Sequence, residues 1–506
     1  ITIFDAGKGC SRMIPNWDYL VTQYKYYNLD NLTKFYDSFN EVISEAEKCT
    51  LDPTATLEYM KWGYILSDRT MIKNIRRTPW LSKPGVEQWE HSLINEYNIN
   101  NISDESTLID KFVVLLLDEI SKFLVNKDSI GILLSGGMDS RICAMLINEL
   151  INRGDFKGSV VGITWGDENS RDVQYSRQIC KLFNWESVVL PIDENILLKN
   201  IDVAAKHGAM ASPIHLHNMV GVSELEGLDG ILAASYGDSI GRAEYSGMHI
   251  SNLKPMAEKK LYNKELLLNK EIVKTSKSEA YNDIADYYYN KDEWNGRTEF
   301  DYQAFYMRNK LQWCMDIINE KIPLHQLFTS PEVYQFIFSL KWELRNNRIY
   351  EKILKLMEPR LLEIPWARTG AIYGSSRTKP LDSYKKNFHE YHRWIRNDLR
   401  KPIKDLILSK EIENTGIFDM DAIETIYSIY PKRSKEGLNI YDEWFIWIAS
   451  ISKMIKTYDN NLLVDELPQS SRNSRLNTIR AKCSYNILEL SQSSKLHLYN
   501  LKNKFK

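Results

Sequence analysis

The chain has 506 residues, 43% of them hydrophobic and 26% charged, which is typical of a globular protein with two or three domains. Its 65 Lys and Arg residues balance 67 Asp and Glu residues, so the net charge of -2 gives no global basis for binding nucleic acid. The six cysteines include no CxxC pair, which excludes a zinc site of the usual spacing and indicates reduced thiols. No apolar run approaches the roughly 18 residues that span a bilayer, so we expect a cytoplasmic protein without a membrane partner.

Residues 1–103 mix aromatic and polar residues and favour a small mixed domain. Asp52-Pro53 is a typical helix start, and Gly63 is a typical helix stop. A turn-rich stretch over 98–104 precedes an amphipathic helix that is expected to end near Leu124. We therefore place a domain boundary between residues 103 and 104.

From Ser129 the pattern changes to short apolar runs that alternate with helical stretches. Continuous apolar strands are those buried on both faces, and this alternation is typical of a parallel sheet with right-handed crossovers. We expect residues 104–255 to form a doubly wound α/β domain. The predicted strands are 130–134, 160–164, 187–190 and 230–234.

Beyond residue 255, charged and aromatic residues recur at helical spacing, which predicts a helical region over 256–470. The clearest helical stretches are 300–318, 331–340 and 345–357. The last stretch, 471–506, carries eight Lys or Arg residues against one Glu and predicts a solvated basic tail.

A glycine-rich string over 134–140, Leu-Ser-Gly-Gly-Met-Asp-Ser, follows the first predicted strand and precedes a predicted helix. The two glycines let backbone N–H groups approach phosphate oxygens, and the helix N-terminus adds the positive end of its dipole. The hydroxyls of Ser135 and Ser140 can donate to the same oxygens, and Asp139 can hold a magnesium ion that bridges phosphates. A Walker loop is excluded because no Gly-Lys-Ser/Thr follows, which leaves a plain glycine turn as the structural alternative.

This strand, loop and helix resemble the ATP pyrophosphatase loop, and the string is similar to the Leu-Ser-Gly-Gly-Leu-Asp-Ser of the asparagine synthetase-like family. The resemblance implies a doubly wound sheet of the adenine-nucleotide α-hydrolase type, with ATP and Mg²⁺ as cofactors. The segment 162–166 resembles the second strand of that family, where adenine is read largely through backbone groups. The implied nucleotide-binding residues are Leu134, Ser135, Gly136, Gly137, Asp139, Ser140, Ile163, Tyr236 and Gly237.

A second segment, 235–241, resembles the Ser-Gly-Glu-Gly-x-Asp-Glu loop that binds magnesium and pyrophosphate in this family. Asp238 stands for the first acidic residue, and the resemblance gives it a catalytic role and a share, with Asp139, of the metal. The Asp-Glu pair is missing here, and Glu244 is a looser candidate for the second acid.

The stretch 364–380 resembles the part of the family that supplies a cation as pyrophosphate leaves. Lys379 is the candidate for this catalytic cation, and Arg377 is the second choice. The alternative is that both are solvated loop cations.

Together these resemblances imply an AMP-forming carbon–nitrogen ligase. A carboxylate, from aspartate or a related acid, would attack the α-phosphate, and ammonia or an amine would then displace AMP. Glutamine-using members carry a cysteine nucleophile at the first mature position, whereas this chain begins with Ile1 and has its first cysteine at Cys10. Residues 57–80 resemble the later part of that glutaminase domain, so residues 1–103 are interpreted as a shortened or truncated glutaminase-like region. A separate glutaminase is then a possible partner.

Two other classes of function stay open. A tRNA-modifying ATP pyrophosphatase is disfavoured by the net charge and by the missing CxxC motif, and a non-catalytic ATP-binding homologue is suggested by the imperfect loop at Asp238. His207, Ser212 and His215 should lie near the mouth of the sheet, where they are candidates for contacts with the substrate. They form no recognisable metal-ligand pattern with His217.

Overall fold

A computed structural model describes most of the chain. The described residues are 25–47, 49–80, 82–84, 89–91, 105–256, 267–285, 297–375, 379–433, 440–463, 478–479, 481–483 and 485–486. Within these ranges no helix combines the length and the apolar character that a membrane span requires. The catalytic alternative Arg377, the turn-rich stretch over 98–104 and Cys10 lie outside the described residues.

The N-terminal region contains a three-stranded antiparallel sheet in the order β2-β1-β4. Its elements are β1 (Tyr26–Asn28), β2 (Asn31–Tyr36), α1 (Phe39–Glu45), β3 (Cys49–Thr50), α2 (Pro53–Trp62), β4 (Ile75–Arg77), β5 (Ser82–Pro84) and β6 (Trp89–His91). The predicted start and stop of α2 are confirmed. The Asp52 carboxylate caps the first turn by accepting from the Thr54 N–H at 2.8 Å, and Gly63 ends the helix with a φ of 80°.

The middle of the chain alternates strands and helices, as the apolar pattern predicts. Its elements are α3 (Glu105–Leu124), β7 (Ser129–Leu133), α4 (Met138–Arg153), β8 (Ser159–Trp165), α5 (Arg171–Phe183), β9 (Glu186–Leu190), α6 (Glu194–Lys206), α7 (Met219–Ser223) and β10 (Gly230–Ala233). All four predicted strands are present within one or two residues of their expected ends.

The later part of the chain is mainly helical. Its elements are β11 (Glu244–Tyr245), β12 (Met248–His249), α8 (Lys270–Ala285), α9 (Arg297–Asp301), α10 (Trp313–Asn319), β13 (Leu324–Gln326), α11 (Pro331–Phe338), α12 (Asn347–Met357), α13 (Arg360–Glu363), α14 (Tyr391–Arg393), α15 (Arg400–Ile407), α16 (Lys410–Asn414), α17 (Met420–Arg433), α18 (Ile440–Thr457) and β14 (Leu462–Leu463). Between α9 and α10 the helix continues through a wider π-helical stretch, Tyr302–Gln312.

The central sheet has five parallel strands in the order β13-β10-β7-β8-β9. The chain runs outward from β7 through β8 to β9, and then returns to add β10 and β13 on the other side. The winding direction therefore reverses between β7 and β10, which confirms the predicted doubly wound α/β class. In such sheets ligands bind outside the carboxyl ends of the strands at this reversal.

Two expectations for the later chain need correction. The fifth strand, β13, lies inside the region expected to be helical, because its three residues are too few for a period to be visible. Within the predicted basic tail, the described residues Ala481 and Tyr485 are buried, and the Tyr485 hydroxyl donates to the Tyr430 carbonyl at 3.1 Å. Those two residues are packed rather than solvated, whereas Ile479, Lys482 and Cys483 are exposed.

Buried contacts cross the boundary that was placed at residue 103. The rings of Tyr59 and Trp447 stack with centroids 3.9 Å apart, and Arg77 donates to the Asn309 side chain at 2.7 Å. The parallel pair of β3 and β14 joins the N-terminal region to the end of the chain. The boundary itself stays a prediction, but the N-terminal region shares its core with the helical region.

Gly162, in the middle of β8, is required by close packing between the sheet and α5. A Cβ at this position would lie 2.2 Å from Cys180 Sγ and 2.9 Å from Leu134 Cδ1. We predict that Gly162→Ala lowers the free energy of unfolding by about 1–3 kcal/mol, because the core must shift to admit the methyl group. Urea unfolding should show that adding Cys180→Ala restores part of this loss. Strict additivity of the two substitutions would contradict the steric explanation.

Candidate active site at the reversal of the sheet

The glycine-rich string forms a tight loop between β7 and α4, with Ser140 at its centre. The Ser140 hydroxyl donates to the Ser135 carbonyl at 2.8 Å, and the Ser135 hydroxyl accepts from the Gly137 N–H at 3.2 Å. A Cβ at Gly136 would lie 2.6 Å from the Ala367 Cβ, so this position requires glycine. The two hydroxyls therefore shape the loop in addition to lining its mouth.

The loop leaves the start of α4 open to a ligand. Gly137 is the N-cap residue, and no side chain accepts a hydrogen bond from the first turn in the way a capping residue would. The Gly136 carbonyl accepts instead from Arg141 Nη2 and from the Ala367 N–H, each at 3.1 Å, which keeps it occupied. A helix N-terminus of this kind attracts anions.

The second loop, after β10, places Asp238 beside the first. Gly237 allows this approach, because a Cβ there would lie 2.7 Å from the Asp139 Cβ. Burial and the neighbouring Asp139 carboxylate raise the pKa of Asp238 to about 7, although Arg242 opposes them. Tyr236, also predicted to bind the nucleotide, is buried and donates to the Gln312 side chain at 2.5 Å. Tyr236 therefore supports the loop from the core side.

Arg242 binds the carboxylate that was predicted to hold a metal. Its Nε and Nη2 donate to the two Asp139 oxygens at 2.8 and 2.7 Å, and its Nη1 donates to Glu244 at 3.0 Å and to Asn347 at 2.5 Å. The other Glu244 oxygen accepts from Arg368. The loop after β7 and the loop after β10 are thus joined by side chains of alternating positive and negative charge.

Two cavities meet at these loops. The first, which we call the aromatic cavity, has a volume of about 330 Å³ and lies at the ends of β7, β8 and β10. The second, which we call the loop cavity, has a volume of about 440 Å³ and is bordered by Gly137, Arg368 and Lys386. Both volumes lie in the range of small-molecule sites. The residues that line both cavities are Asp139, Asp172 and Asp238.

Asp172 is a site residue that the sequence resemblance did not single out. It lies in the first turn of α5, and burial raises its pKa to about 6, although a hydrogen bond from the Gly136 backbone opposes the rise. In the sequence, Asp172 lies just after the second predicted strand and three positions before Tyr175, and this placement could have identified it. Asp172 and Asp238 thus place two carboxyl groups where the two cavities meet.

The far side of the aromatic cavity is built from rings. His217 lies 6.0 Å from Trp165 with nearly parallel rings and 5.4 Å from Phe388 in an edge arrangement. Its φ of 45° is disfavoured for a residue with a Cβ, and two hydrogen bonds hold it there. Its Nδ1 lies 2.9 Å from the Tyr391 hydroxyl, and its carbonyl accepts from Asn200 at 2.8 Å.

His215 lines the same cavity and is supported from behind by a glutamate. Its Nε2 lies 3.0 Å from Glu443 Oε1, which also accepts from Lys310 Nζ at 3.2 Å. Burial raises the pKa of Glu443, but Lys310 and His215 outweigh it and hold that pKa well below its usual value. Burial and the Lys310 cation lower the pKa of His215 below 6.5, so its imidazole is neutral near pH 7.

The structure brings together most of the predicted site residues. Ser135, Asp139, Ser140 and Asp238 line the aromatic cavity with Leu134, while Gly137 lines the loop cavity. Ile163 is fully buried, its carbonyl accepts from the Leu134 N–H at 2.8 Å, and Thr164 and Trp165 line the cavity in its place.

Other predicted residues lie elsewhere. Lys379 is exposed and lines neither cavity, whereas Arg368 and Lys386 line the loop cavity. His207 pairs with Glu320 at 2.7 Å, and Ser212 is buried. Of the three proposed substrate contacts, His215 lines the aromatic cavity, and the other two line neither of the two cavities described above.

The predicted magnesium site is only partly supported by this geometry. Among the described residues, no cluster of three or more His, Cys, Asp or Glu side chains is arranged to hold a metal ion. Both Asp139 oxygens accept hydrogen bonds from Arg242, whereas the positive charges of Arg171 and Arg242 act on Asp172 and Asp238, respectively, and oppose the rise of their pKa values. Mg²⁺ commonly takes one or two carboxylates and completes its shell with phosphates and water. The assignment of the ion to Asp139 and Asp238 stays a prediction, and Asp172 is a further carboxyl group that lines both cavities.

Breaking the Arg242–Asp139 pair should destabilise the fold. We predict that Arg242→Met lowers the free energy of unfolding by about 3 kcal/mol, because it leaves a largely buried carboxylate without its partner. Arg368→Met removes a partner of Glu244. Because the Arg368 side chain is 47% exposed, this change should lower the free energy of unfolding by less than about 1 kcal/mol. Urea unfolding of both variants, and of Arg242→Met with Asp139→Asn, checks this. Equal losses in the two single variants would contradict it.

His217 should make stability depend on pH. Burial, with His215 and His389 nearby, lowers the pKa of His217 to about 3. Its unfolded value is about 6.5, so below that pH the unfolded chain binds a proton that the folded chain does not. We predict that stability falls between pH 6.5 and 4 and that His217→Asn reduces the slope by up to about 1 kcal/mol per pH unit. Urea midpoints across this range measure it, and an unchanged slope would be evidence against a neutral His217.

Comparisons with known proteins give no family for the chain. No protein-family model matches it, and no curated protein matches it. Among solved structures, it is similar to the U34-tRNA thiolase NcsA from Methanococcus maripaludis with its [4Fe-4S] cluster, with 13% identity over 41% of this chain and 79% of that chain, and a TM-score of 0.23. It is also similar to NMN synthetase from Francisella tularensis, with 14% identity over 49% of this chain and 96% of that chain, and a TM-score of 0.19. Likeness at these scores assigns neither a fold nor a function.

Proposed function

We propose that the chain is an ATP-dependent carbon–nitrogen ligase that cleaves ATP between the α- and β-phosphates. The observation that carries the proposal is the Ser135–Ser140 loop at the reversal of the sheet, with an uncapped helix N-terminus facing a cavity. Phosphate binding at such a loop needs backbone N–H groups, an aligned helix dipole and nearby hydroxyls. All three are present at one place.

The loop cavity has the charges that a leaving pyrophosphate requires. Arg368 and Lys386 line it opposite the start of α4. Arg242 also lines it, and its guanidinium donates to Asp139 and Glu244. Fixed cations aimed at a departing anion lower the barrier because they need no reorganisation during the reaction. A magnesium ion held by Asp172 and Asp238 would supply further positive charge to the phosphates.

The aromatic cavity is suited to the base and to the acyl group. Thr164 and Trp165 follow Leu134 at the strand ends, where a flat ring can lie beside backbone groups. The carboxylate that attacks the α-phosphate would approach from the side of Asp238, which lines both cavities. The aromatic cavity would thus hold the acyl-adenylate, and the loop cavity would hold the departing pyrophosphate.

His215 is the proposed acceptor for the proton of the attacking amine. A neutral imidazole is needed for this role, and Glu443 can stabilise the imidazolium that forms. Glu443 is bonded to His215, and Lys310 donates to the same Glu443 oxygen. His215 is therefore oriented by a further group, as general bases often are. The amine, or ammonia from a separate glutaminase, then displaces AMP.

The proposal is tested with ATP labelled in the α-phosphate, magnesium and candidate acids and amines. Release of labelled AMP together with pyrophosphate supports it, and labelled ADP contradicts it. Pyrophosphate release that requires tRNA would instead support the tRNA-modifying alternative. Binding of ATP that stays intact with every acid, amine and RNA would favour the non-catalytic alternative.

The two cations Lys386 and Lys379 make a matched pair for the pyrophosphate site. We predict that Lys386→Met weakens inorganic pyrophosphate binding about tenfold or more, because it removes a cation that lines the loop cavity. Lys379→Met should change the dissociation constant less than about twofold, since its exposed side chain lies outside that lining. Isothermal titration of each variant measures both constants. A larger effect at Lys379 would restore the assignment that the sequence resemblance implies.

A further inference from the structure

We infer that the acid activated by this chain is a monocarboxylic acid with an apolar body, aliphatic or aromatic, and not aspartate. The inference rests on the proposed function and narrows its substrate. Its basis is the lining of the aromatic cavity, in which apolar side chains and neutral rings lie beside three aspartates.

Neutral side chains from three parts of the chain complete that lining. Met219 comes from α7, Leu311 and Met315 from the helix around residue 312, and Phe388 from the segment before α14. Methionine side chains adapt their shape to apolar partners and carry no charge. An apolar body placed here removes its own surface and that of the lining from water, which favours binding in proportion to the apolar area that is buried.

Aspartate would bring a second carboxylate into this cavity. The described residues that line it include neither Lys nor Arg, whereas three of them are aspartates. A second carboxylate would therefore lose its water without gaining a cation, and it would lie near like charges. Both effects oppose binding of a dicarboxylic acid.

Lys310, a cation behind the lining, is already paired. Lys310 Nζ lies 3.2 Å from Glu443 Oε1, and the same oxygen lies 3.0 Å from His215 Nε2. The lysine charge is thus cancelled by the glutamate, and His215 offers the cavity a neutral ring. A hydroxyl or a carbonyl of the substrate could use that ring, but a carboxylate would gain little from it.

The experiment measures ATP–pyrophosphate exchange in the full chain with four acids at one concentration: aspartate, glutamate, isovalerate and phenylacetate. Exchange reports reversible formation of the acyl-adenylate. We expect isovalerate or phenylacetate to support exchange at least about tenfold faster than either dicarboxylate. Equal or faster exchange with aspartate or glutamate would overturn the inference and leave the proposed function intact.

Absence of exchange with all four acids would instead contradict the proposed function. The acid preference is then taken from thermal unfolding in the presence of the ATP analogue with a methylene bridge between the α- and β-phosphates. A higher melting temperature with isovalerate or phenylacetate alone supports the apolar site. A higher melting temperature with aspartate alone, or no change with any acid, overturns it.

Adding a cation should change the preference. Leu311→Arg introduces a charge at a half-buried lining position, and we expect it to raise aspartate exchange and to lower exchange with the apolar acids by about tenfold. Ser235→Lys places a cation at an exposed lining position and serves if Leu311→Arg does not fold. Leu356→Arg, at a 68% exposed position outside the lining, is the matched control and should change neither rate. An unchanged preference in both lining variants would overturn the inference.

Discussion

The bidentate pair between Arg242 and Asp139 is the interaction on which the arrangement of the site depends. It joins the helix after β7 to the loop after β10, the two strands between which the winding of the sheet reverses. Because a guanidinium offers a rigid fork of donors, it fixes the orientation of both loops and not only their distance. The same pair engages both Asp139 oxygens, so the proposed metal ion would have to be held by the neighbouring carboxyl groups. One ion pair thus influences both the shape and the electrostatics of the candidate site.

The two cavities divide the proposed chemistry between them. The loop cavity is lined by ions of both signs, whereas the aromatic cavity has neutral rings and thioethers beyond the strand ends. Charged phosphates and an apolar acyl group are thereby kept in surroundings that suit each of them. Asp172 and Asp238 lie where the two meet, which is where the reacting phosphorus and carboxylate would lie. His215, with Glu443 behind it, faces this meeting point from the aromatic side.

Features that depend on neighbouring residues could be predicted from the sequence. The four apolar strands, the Asp52 cap and the loop at Ser135 each express a short pattern, and each is found where it was expected. Contacts between distant residues could not be predicted in this way. Arg242 and Asp139 are 103 positions apart, and Glu443 lies 228 positions from His215, so no local period relates them. The short strand β13 was also missed, because its three residues are too few to show any period.

The pairing of β3 with β14 has a consequence for synthesis on the ribosome. β3 pairs with β14, and Tyr59 stacks on Trp447, so these contacts of the N-terminal region are completed by residues that are made several hundred positions later. Contacts of such long separation form late, because the intervening chain must first be ordered. The aromatic surface around Tyr59 therefore has to stay uncovered while several hundred residues emerge. Uncovered apolar surface of this kind on a nascent chain is what chaperones shield.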